Sequence, residues 1–307
     1  MARPKIPFLK YKNGAFLFSG ILIIIGIFSL FLNGLNLGID FTGGTIIHLR
    51  LTEGYAMEEI REVLSPFGQE GAPLQRAGHS ATGGGDEVII KTPSLDDSTR
   101  NEIIEAFKER WPGMTSEDIL RVDNVGALIG KELTKEAFLA LLIAAVGMIL
   151  YITLRFEFRF ALAAIITLIH DAFLILTIFS IFRIEINSPF IAAILTTIGY
   201  SINDTIVIFD RIRENLKYRR NRTIGEVVND SINESIIRCI NTSTTTLIVL
   251  ISLFIAFNYF VGGMDLKVFA LALLIGVISG TYSSIFIAGP LWFLWKPAEG
   301  KKQKAPA

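Results

Sequence analysis

Cysteine and histidine are almost missing from this chain, which has one Cys (Cys239) and three His in 307 residues. A lone cysteine cannot close an intramolecular disulfide, and so few scattered soft ligands exclude the common zinc clusters. Charge is scarce as well, at 19% of residues, and it is balanced, with 29 Lys+Arg against 29 Asp+Glu. That balance argues against a nucleic-acid binder. What charge there is avoids long stretches of chain: Ala15–Leu32 is 18 residues without any, and comparable runs recur from residue 137 onward. Apolar segments of this length cross a bilayer rather than fold into a soluble core.

Six spans are expected, near Ala15–Leu35, Ala137–Leu154, Ala161–Phe182, Pro189–Phe209, Ile236–Asn258 and Val268–Trp295. Arg3, Lys5, Lys10 and Lys12 precede the first run as they would in a signal peptide. The run is too long for a signal-peptide core and lacks a small-residue cleavage site, so it reads as a retained span. With the N-terminus inside, sixteen Lys and Arg fall on the inner side, and only Arg183 and Lys267 lie in the short outer loops. The positive-inside rule then puts both termini in the cytoplasm. The expected order is a cytoplasmic N-terminus (1–14), a first span (15–35), an external domain (36–136), five further spans (137–295) with a basic cytoplasmic segment at 211–235, and a cytoplasmic tail (296–307).

The segment 36–136 has soluble composition. Its pattern predicts strand Thr45–Leu51, helix Ala56–Phe67, a weak strand near Pro73–Ala77, strand Glu87–Thr92, helix Asp96–Trp111 and strand Asp118–Val122. Ser94 and Asp96 are candidate N-caps of the second helix, and Gly83-Gly84-Gly85 reads as a turn between two strands. The order βαββαβ is that of a ferredoxin-like domain. The fold class expected is therefore an α-helical polytopic membrane protein with six transmembrane helices and an external α+β ferredoxin-like domain.

Where the first span meets that domain, the chain reads Gly38-Ile39-Asp40-Phe41-Thr42-Gly43-Gly44-Thr45. This is either a tight junction that sets the domain's angle on the membrane or a Gly-rich linker. It is not a phosphate loop, because it lacks the Gly-Lys-Ser/Thr ending and precedes a strand.

Ionisable residues inside the spans carry the most information. Each costs roughly 2.5–3.5 kcal/mol on insertion scales, so each is a functional-site candidate. His170-Asp171 interrupts the third span about 16 Å from its inner end at 1.5 Å per residue, with Thr167 on the same face. In the fourth span Thr197, Ser201, Asp204 and Ile208 are spaced 4, 3 and 4 residues apart and form one stripe, flanked by Asn203 and Thr205. Asp204 lies about 10 Å from the inner end. Arg238 opens the fifth span, with Thr242 and Thr245 on its face. It either snorkels to the headgroups or meets Asp204, which starts from the same membrane side at similar depth. A movable Arg would make Asp204 a switchable proton site. In the sixth span Gly276, Gly280 and Ser283 read as a packing stripe. The basic, amphipathic segment 211–235 reads as an interfacial helix or as a docking surface for a cytoplasmic partner.

Gly38–Thr45, the Arg155–Arg159 turn with His170-Asp171, the run Gly199–Arg211 and Arg238 followed by Thr and Ser together resemble the SecF family of the SecD/SecF group, within the proton-driven RND superfamily. The resemblance covers essentially the whole chain. The Gly38–Thr45 signature is shared with SecD, but an insert of about 100 residues is similar to SecF's, SecD's external region being normally much longer. The resemblance implies an RND-like half-bundle that completes a six-plus-six helix assembly with SecD in the bacterial cytoplasmic (inner) membrane. It further implies association with the Sec translocon (SecY, SecE, SecG), and proton-driven movement of external domains that pull a translocating polypeptide outward. Protons are then the coupling ion, with no cofactor, no metal and no enzymatic activity. It assigns proton transfer to Asp204 with Arg238 as its partner, and to Asp171 less directly. His170, Thr197, Ser201, Asn203, Thr205 and Thr242 are supporting polar groups, and Gly38, Asp40, Phe41, Gly43 and Gly44 form the domain junction. Two other functions use similar residues. One is an RND-type exporter of small molecules or lipids, which needs a substrate cavity. The other is an intramembrane aspartyl protease using Asp171 and Asp204, which lacks its Gly-x-Gly-Asp signature here.

Overall fold

The computed structural model describes residues 6–51, 55–79, 86–219, 222–257 and 264–296. The expected Gly83–Gly85 turn, residues 1–5 of the N-terminus and the tail beyond 296 lie outside the described residues. In chain order the elements are α1 (Phe8–Asn33), α2 (Ile39–Thr42), β1 (Gly44–Leu51), α3 (Met57–Leu64), β2 (Leu74–His79), β3 (Asp86–Thr92), α4 (Asp97–Arg110), β4 (Ile119–Val125), α5 (Ala127–Arg155), α6 (Phe158–Ile181), α7 (Ser188–Lys217), α8 (Ile224–Ala256), α9 (Met264–Ser283) and α10 (Gly289–Trp295). The chain divides into two compact units, Met1–Asn36 with Ala140–Ala307, and Leu37–Leu139.

Among the described residues six helices are long and apolar enough to cross a membrane, the last running Asp265–Trp295 through α9 and α10. Several extend beyond their apolar stretch. α5 begins at Ala127, ten residues before the expected Ala137, and α8 begins at Ile224, twelve before Ile236. Local capping explains two of the starts. The Asn187 side chain accepts from Phe190 N at 3.1 Å ahead of α7, with Pro189 in the first turn. Thr223 and Glu226 form a capping box ahead of α8.

The expected interfacial helix at 211–235 is not formed. α7 runs on to Lys217 and α8 starts at Ile224, so both long helices reach into this segment. Ile212, Ile224, Val228 and Ile232 belong to the same buried core as Phe8, Phe160 and Trp292. The amphipathic pattern reflects the adjoining ends of two long helices that pack on one another.

α9 packs against α6, α7 and α8, and its glycines set how close α7 comes. A Cβ at Gly276 would overlap the Thr197 side chain, and one at Gly280 would lie 2.9 Å from Ser201 Cβ and Oγ. This is the small-residue packing expected of membrane helices.

In the second unit the strands pair in the order β2-β3-β1-β4, with every neighbour antiparallel. Its elements fall within three residues of those read from the sequence. Alternation along β1 sends Ile47, Leu49 and Leu51 into one apolar core with Val88, Ile90, Ile60, Leu64, Ile103 and Phe107. The opposite face carries cross-strand charge, with Glu87 within 3.2 Å of His48 and 3.6 Å of Arg50. Burial pushes the His48 imidazole below its ordinary range, against the opposing pull of Glu87.

The stretch Gly38–Thr45 is a folded turn. α2 closes with Gly43 N donating to Ile39 O at 2.9 Å, and Gly43 and Gly44 adopt φ of 73° and 146°. A Cβ on Gly43 would stand 2.8 Å from Ala127 Cα, and one on Gly44 2.6 Å from Thr92 O. Gly130 is equally constrained, with Gly43 N 2.9 Å from where its Cβ would be. Gly38 is buried, and Asp40 and Phe41 are half-buried, within the same turn.

Candidate functional site

The core of the helical unit is polar along one seam. Asp171 on α6 is 1% exposed and lies inside a cradle of hydroxyls from two other helices. Ser201 Oγ on α7 donates to its Oδ2 at 2.6 Å, Ser283 Oγ on α9 to Oδ2 at 2.7 Å, and Ser279 Oγ on α9 to Oδ1 at 2.7 Å. His170 Nδ1 lies 3.1 Å from Oδ1. Facing a carboxylate, which only accepts, Nδ1 is the donor of this contact. Nε2 is then buried without a partner. Four donors are about what two carboxylate oxygens can accommodate.

Asp204 on α7 is 3% exposed and differently held. Its contact is Ser243 Oγ on α8 at 3.4 Å, with the buried Cys239 thiol beside it. Ser243 also lies 2.6 Å from Thr281 Oγ1, and Thr281 donates its own proton to Val277 O at 2.7 Å. Ser243 has one proton and a much shorter contact for it, so the donor left to Asp204 is the weak Cys239 thiol.

Arg238 forms no ion pair within 4.0 Å among the described residues. Its side chain is exposed on the wall of a cavity of about 450 Å³, shared with Asn203, Asp210, Arg211, Glu214 and Glu234. The direct Asp204–Arg238 contact anticipated from their shared depth is therefore absent in this conformation. The cause is azimuth: Cys239 is the residue that α8 turns towards Asp204, and Arg238, about 100° round the helix, acts on the carboxylate only at longer range.

The supporting groups divide in the same way. Ser201 belongs to the Asp171 cradle. Thr205 Oγ1 pairs with Ser284 Oγ at 2.8 Å, and Ser284 reaches Ser201 O at 3.3 Å. Thr197 is buried against Gly276 with its hydroxyl unpartnered. Asn203 is exposed and faces the cavity rather than Asp204. Thr242 folds its hydroxyl back onto Arg238 O at 2.9 Å and does not enter the seam. No group of three or more His, Cys, Asp or Glu gathers to hold a metal among the described residues.

Sequence reasoning missed the contribution of α9. Ser283 is a hydrogen-bond donor to Asp171 as well as part of the packing stripe, and Ser279, Thr281 and Ser284 also enter the seam. The signal was present as Ser279 and Ser283 four residues apart, hence on one face. Just beyond them the helix widens into a π turn at Ser284–Ala288. Such turns are frequent where a helix carries function.

The model described as "Protein export membrane protein SecD/SecF, C-terminal" matches residues 108–298, and the SecD/SecF GG motif matches residues 28–53, which include the positive-φ pair Gly43-Gly44. The chain is similar to protein translocase subunit SecF of Sebaldella termitidis, at 39% identity over 93% of this chain and 90% of that protein. SecF of Desulfurispirillum indicum is 40% identical over 95% and 92% respectively. Protein translocase subunit SecDF of Bacillus subtilis is 37% identical over 98% of this chain, which spans 40% of that longer protein. The crystal structure of SecDF from Thermus thermophilus, a translocon-associated membrane protein, superposes with a TM-score of 0.84 at 35% identity. That match covers 95% of this chain and 39% of the other. Six bilayer-length helices, the ordered glycine turn and these matches along nearly the whole chain place it, as a multi-pass membrane protein, in the SecD/SecF family of protein-export membrane proteins.

Proposed function

We propose that the chain is a SecF-type accessory subunit of Sec protein export in the bacterial cytoplasmic membrane, that both termini are cytoplasmic, and that protons moving through Asp204 drive it. The observation that carries the coupling is a 3%-exposed carboxyl whose remaining donor is the weak Cys239 thiol, together with the adjacent Arg238, which has no ion pair within 4.0 Å among the described residues. Neutral Asp204 can donate to Ser243, whereas ionised Asp204 needs a cation. Arg238 is the nearest candidate, and its arrival couples charge to the position of α8.

Each proton crossing 100 mV releases about 2.3 kcal/mol, and each pH unit adds about 1.36 kcal/mol. A few kcal/mol shifts a two-state helix arrangement by one to two orders of magnitude. In this reading a SecD-type partner supplies the other half of the bundle, and the SecY, SecE and SecG translocon delivers the polypeptide. The α/β unit, external and ferredoxin-like, meets the emerging chain. The protein transfers protons without a cofactor and without catalysing a covalent reaction.

Asp204→Asn keeps size and polarity but cannot cycle a proton. In membrane vesicles containing the partner subunits, this variant should fold normally and lose proton-dependent export. Full export by well-expressed Asp204→Asn protein would remove Asp204 from the mechanism.

A further inference from the structure

The cavity beside Arg238 contains more charge than the proton step so far requires. Among its lining residues are the acids Asp210, Glu214 and Glu234 and the bases Arg211 and Arg238, all from α7 and α8. Most of these are already paired. Arg211 bridges Glu234 at 2.5 Å and Glu214 at 2.7 Å, Asp210 takes Arg213 at 2.8 Å, and Asn215 donates to Glu234 at 2.8 Å. Arg238 is the member without an ion pair within 4.0 Å among the described residues. No charged side chain from α1, α9 or α10 is among the residues lining the cavity.

Helix direction decides which acid Arg238 can use. Glu234 and Arg238 are four residues apart on α8, so they share a face one turn apart. Side chains on a helix lean towards its N-terminus. The N-terminus of α8 is the end nearer Glu234, so the resting lean of Arg238 is away from the seam and towards that acid. Reaching Asp204 requires the guanidinium to turn inward past Cys239.

We propose that Glu234 is a positioning residue that offers Arg238 a retracted station: the guanidinium, which here is paired with neither acid, moves to Glu234 when Asp204 gains a proton and to Asp204 when that proton leaves. The proposal rests on the proton-coupled reading of Asp204. It also supplies a consequence for the helices. Arg238 arriving at Glu234 competes with Arg211, the link that ties the inner end of α7 to α8, so each proton alternately tightens and loosens that seam.

The test measures proton-dependent export against the pH of the proton-donating side, in vesicles containing the full chain and its partner subunits. With Glu234→Gln, Arg238 stays on Asp204 for longer and a proton displaces it less readily. The half-maximal pH should therefore fall by about half a unit, the scale of an ion pair in a solvent-connected cavity. Glu234→Asp should restore most of the native profile. Arg211→Gln removes the competitor for Glu234 and should move the midpoint in the opposite direction. A Glu234→Gln profile that overlays the native one overturns the proposal. So does a uniform loss of export at an unchanged midpoint that Glu234→Asp shares, since that is the behaviour of a simple α7–α8 brace. Asp204→Asn measured alongside separates the two levels: if it exports normally, the parent reading falls with this one, whereas its failure combined with an unshifted Glu234→Gln midpoint sinks the Glu234 station alone.

Discussion

Two carboxyl groups lie buried in one helical unit, and the bundle treats them in opposite ways. Asp171 receives three serine hydroxyls and an imidazole, from its own helix and two others. Asp204 has the weak Cys239 thiol and one long contact to a serine whose proton has a closer acceptor. Both are all but excluded from solvent, at 1% and 3% exposure. The first arrangement ties α6, α7 and α9 together through one carboxyl. The second suits a group that changes its charge.

Mutations can break that contrast. The largest stability effect belongs to Asp171→Ala, which strands Ser201, Ser279, Ser283 and His170 in an apolar interior. By the cost of breaking buried charged networks it should lose about 3–5 kcal/mol, read from denaturant or thermal unfolding in detergent. Asp204→Asn should change the same measurement by less than about 1 kcal/mol. Equal losses at the two sites would erase the distinction. Gly276→Ala comes next, costing about 1–3 kcal/mol by overpacking the α7–α9 contact. Combining it with Thr197→Ala should recover much of that loss, which a double-mutant cycle would quantify. Ser279→Ala should cost about 1–2 kcal/mol, and Ser243→Ala clearly less, because only the first removes a committed donor to a charge.

The smallest effect lies outside the membrane unit and serves as a control. The Ser98 hydroxyl donates to the exposed Asp96 at the start of α4 and, with Thr99, holds its carboxyl down at about 2 rather than 3.8. A depressed carboxyl contributes stability above its unfolded value and loses it as pH falls through the folded one. Protection of α4 amides, taken relative to their intrinsic exchange rates, should therefore fall as pH drops from about 4 to 2, and Ser98→Ala should flatten that dependence without touching export.

Much of this was legible in the sequence. Hydropathy located six spans, and the cost of intramembrane charge selected Asp171, Asp204 and Arg238. The alternation in β1 and β3 gave the α/β unit its strands. What was not legible has physical causes. Charged residues such as Lys131, Glu132, Lys135 and Glu136 ended the apolar window at the start of the second span, yet they sit on the same continuous helix α5. Serines on α9 are nearly neutral in hydropathy, and their role exists only once α6 and α7 bring Asp171 and Ser201 against them. Rise per residue gave Asp204 and Arg238 a common depth. Rotation about α8, which turns Cys239 rather than Arg238 to the carboxyl, depends on packing that no one-dimensional pattern contains.

The central proposal is that Asp204 gains and loses a proton. Infrared difference spectroscopy of the reconstituted protein, stepped in pH, detects the carbonyl stretch of a protonated carboxyl directly. A band that titrates in the native protein, vanishes in Asp204→Asn and persists in Asp171→Asn is the predicted result. A titrating band that survives Asp204→Asn and disappears in Asp171→Asn would contradict the account.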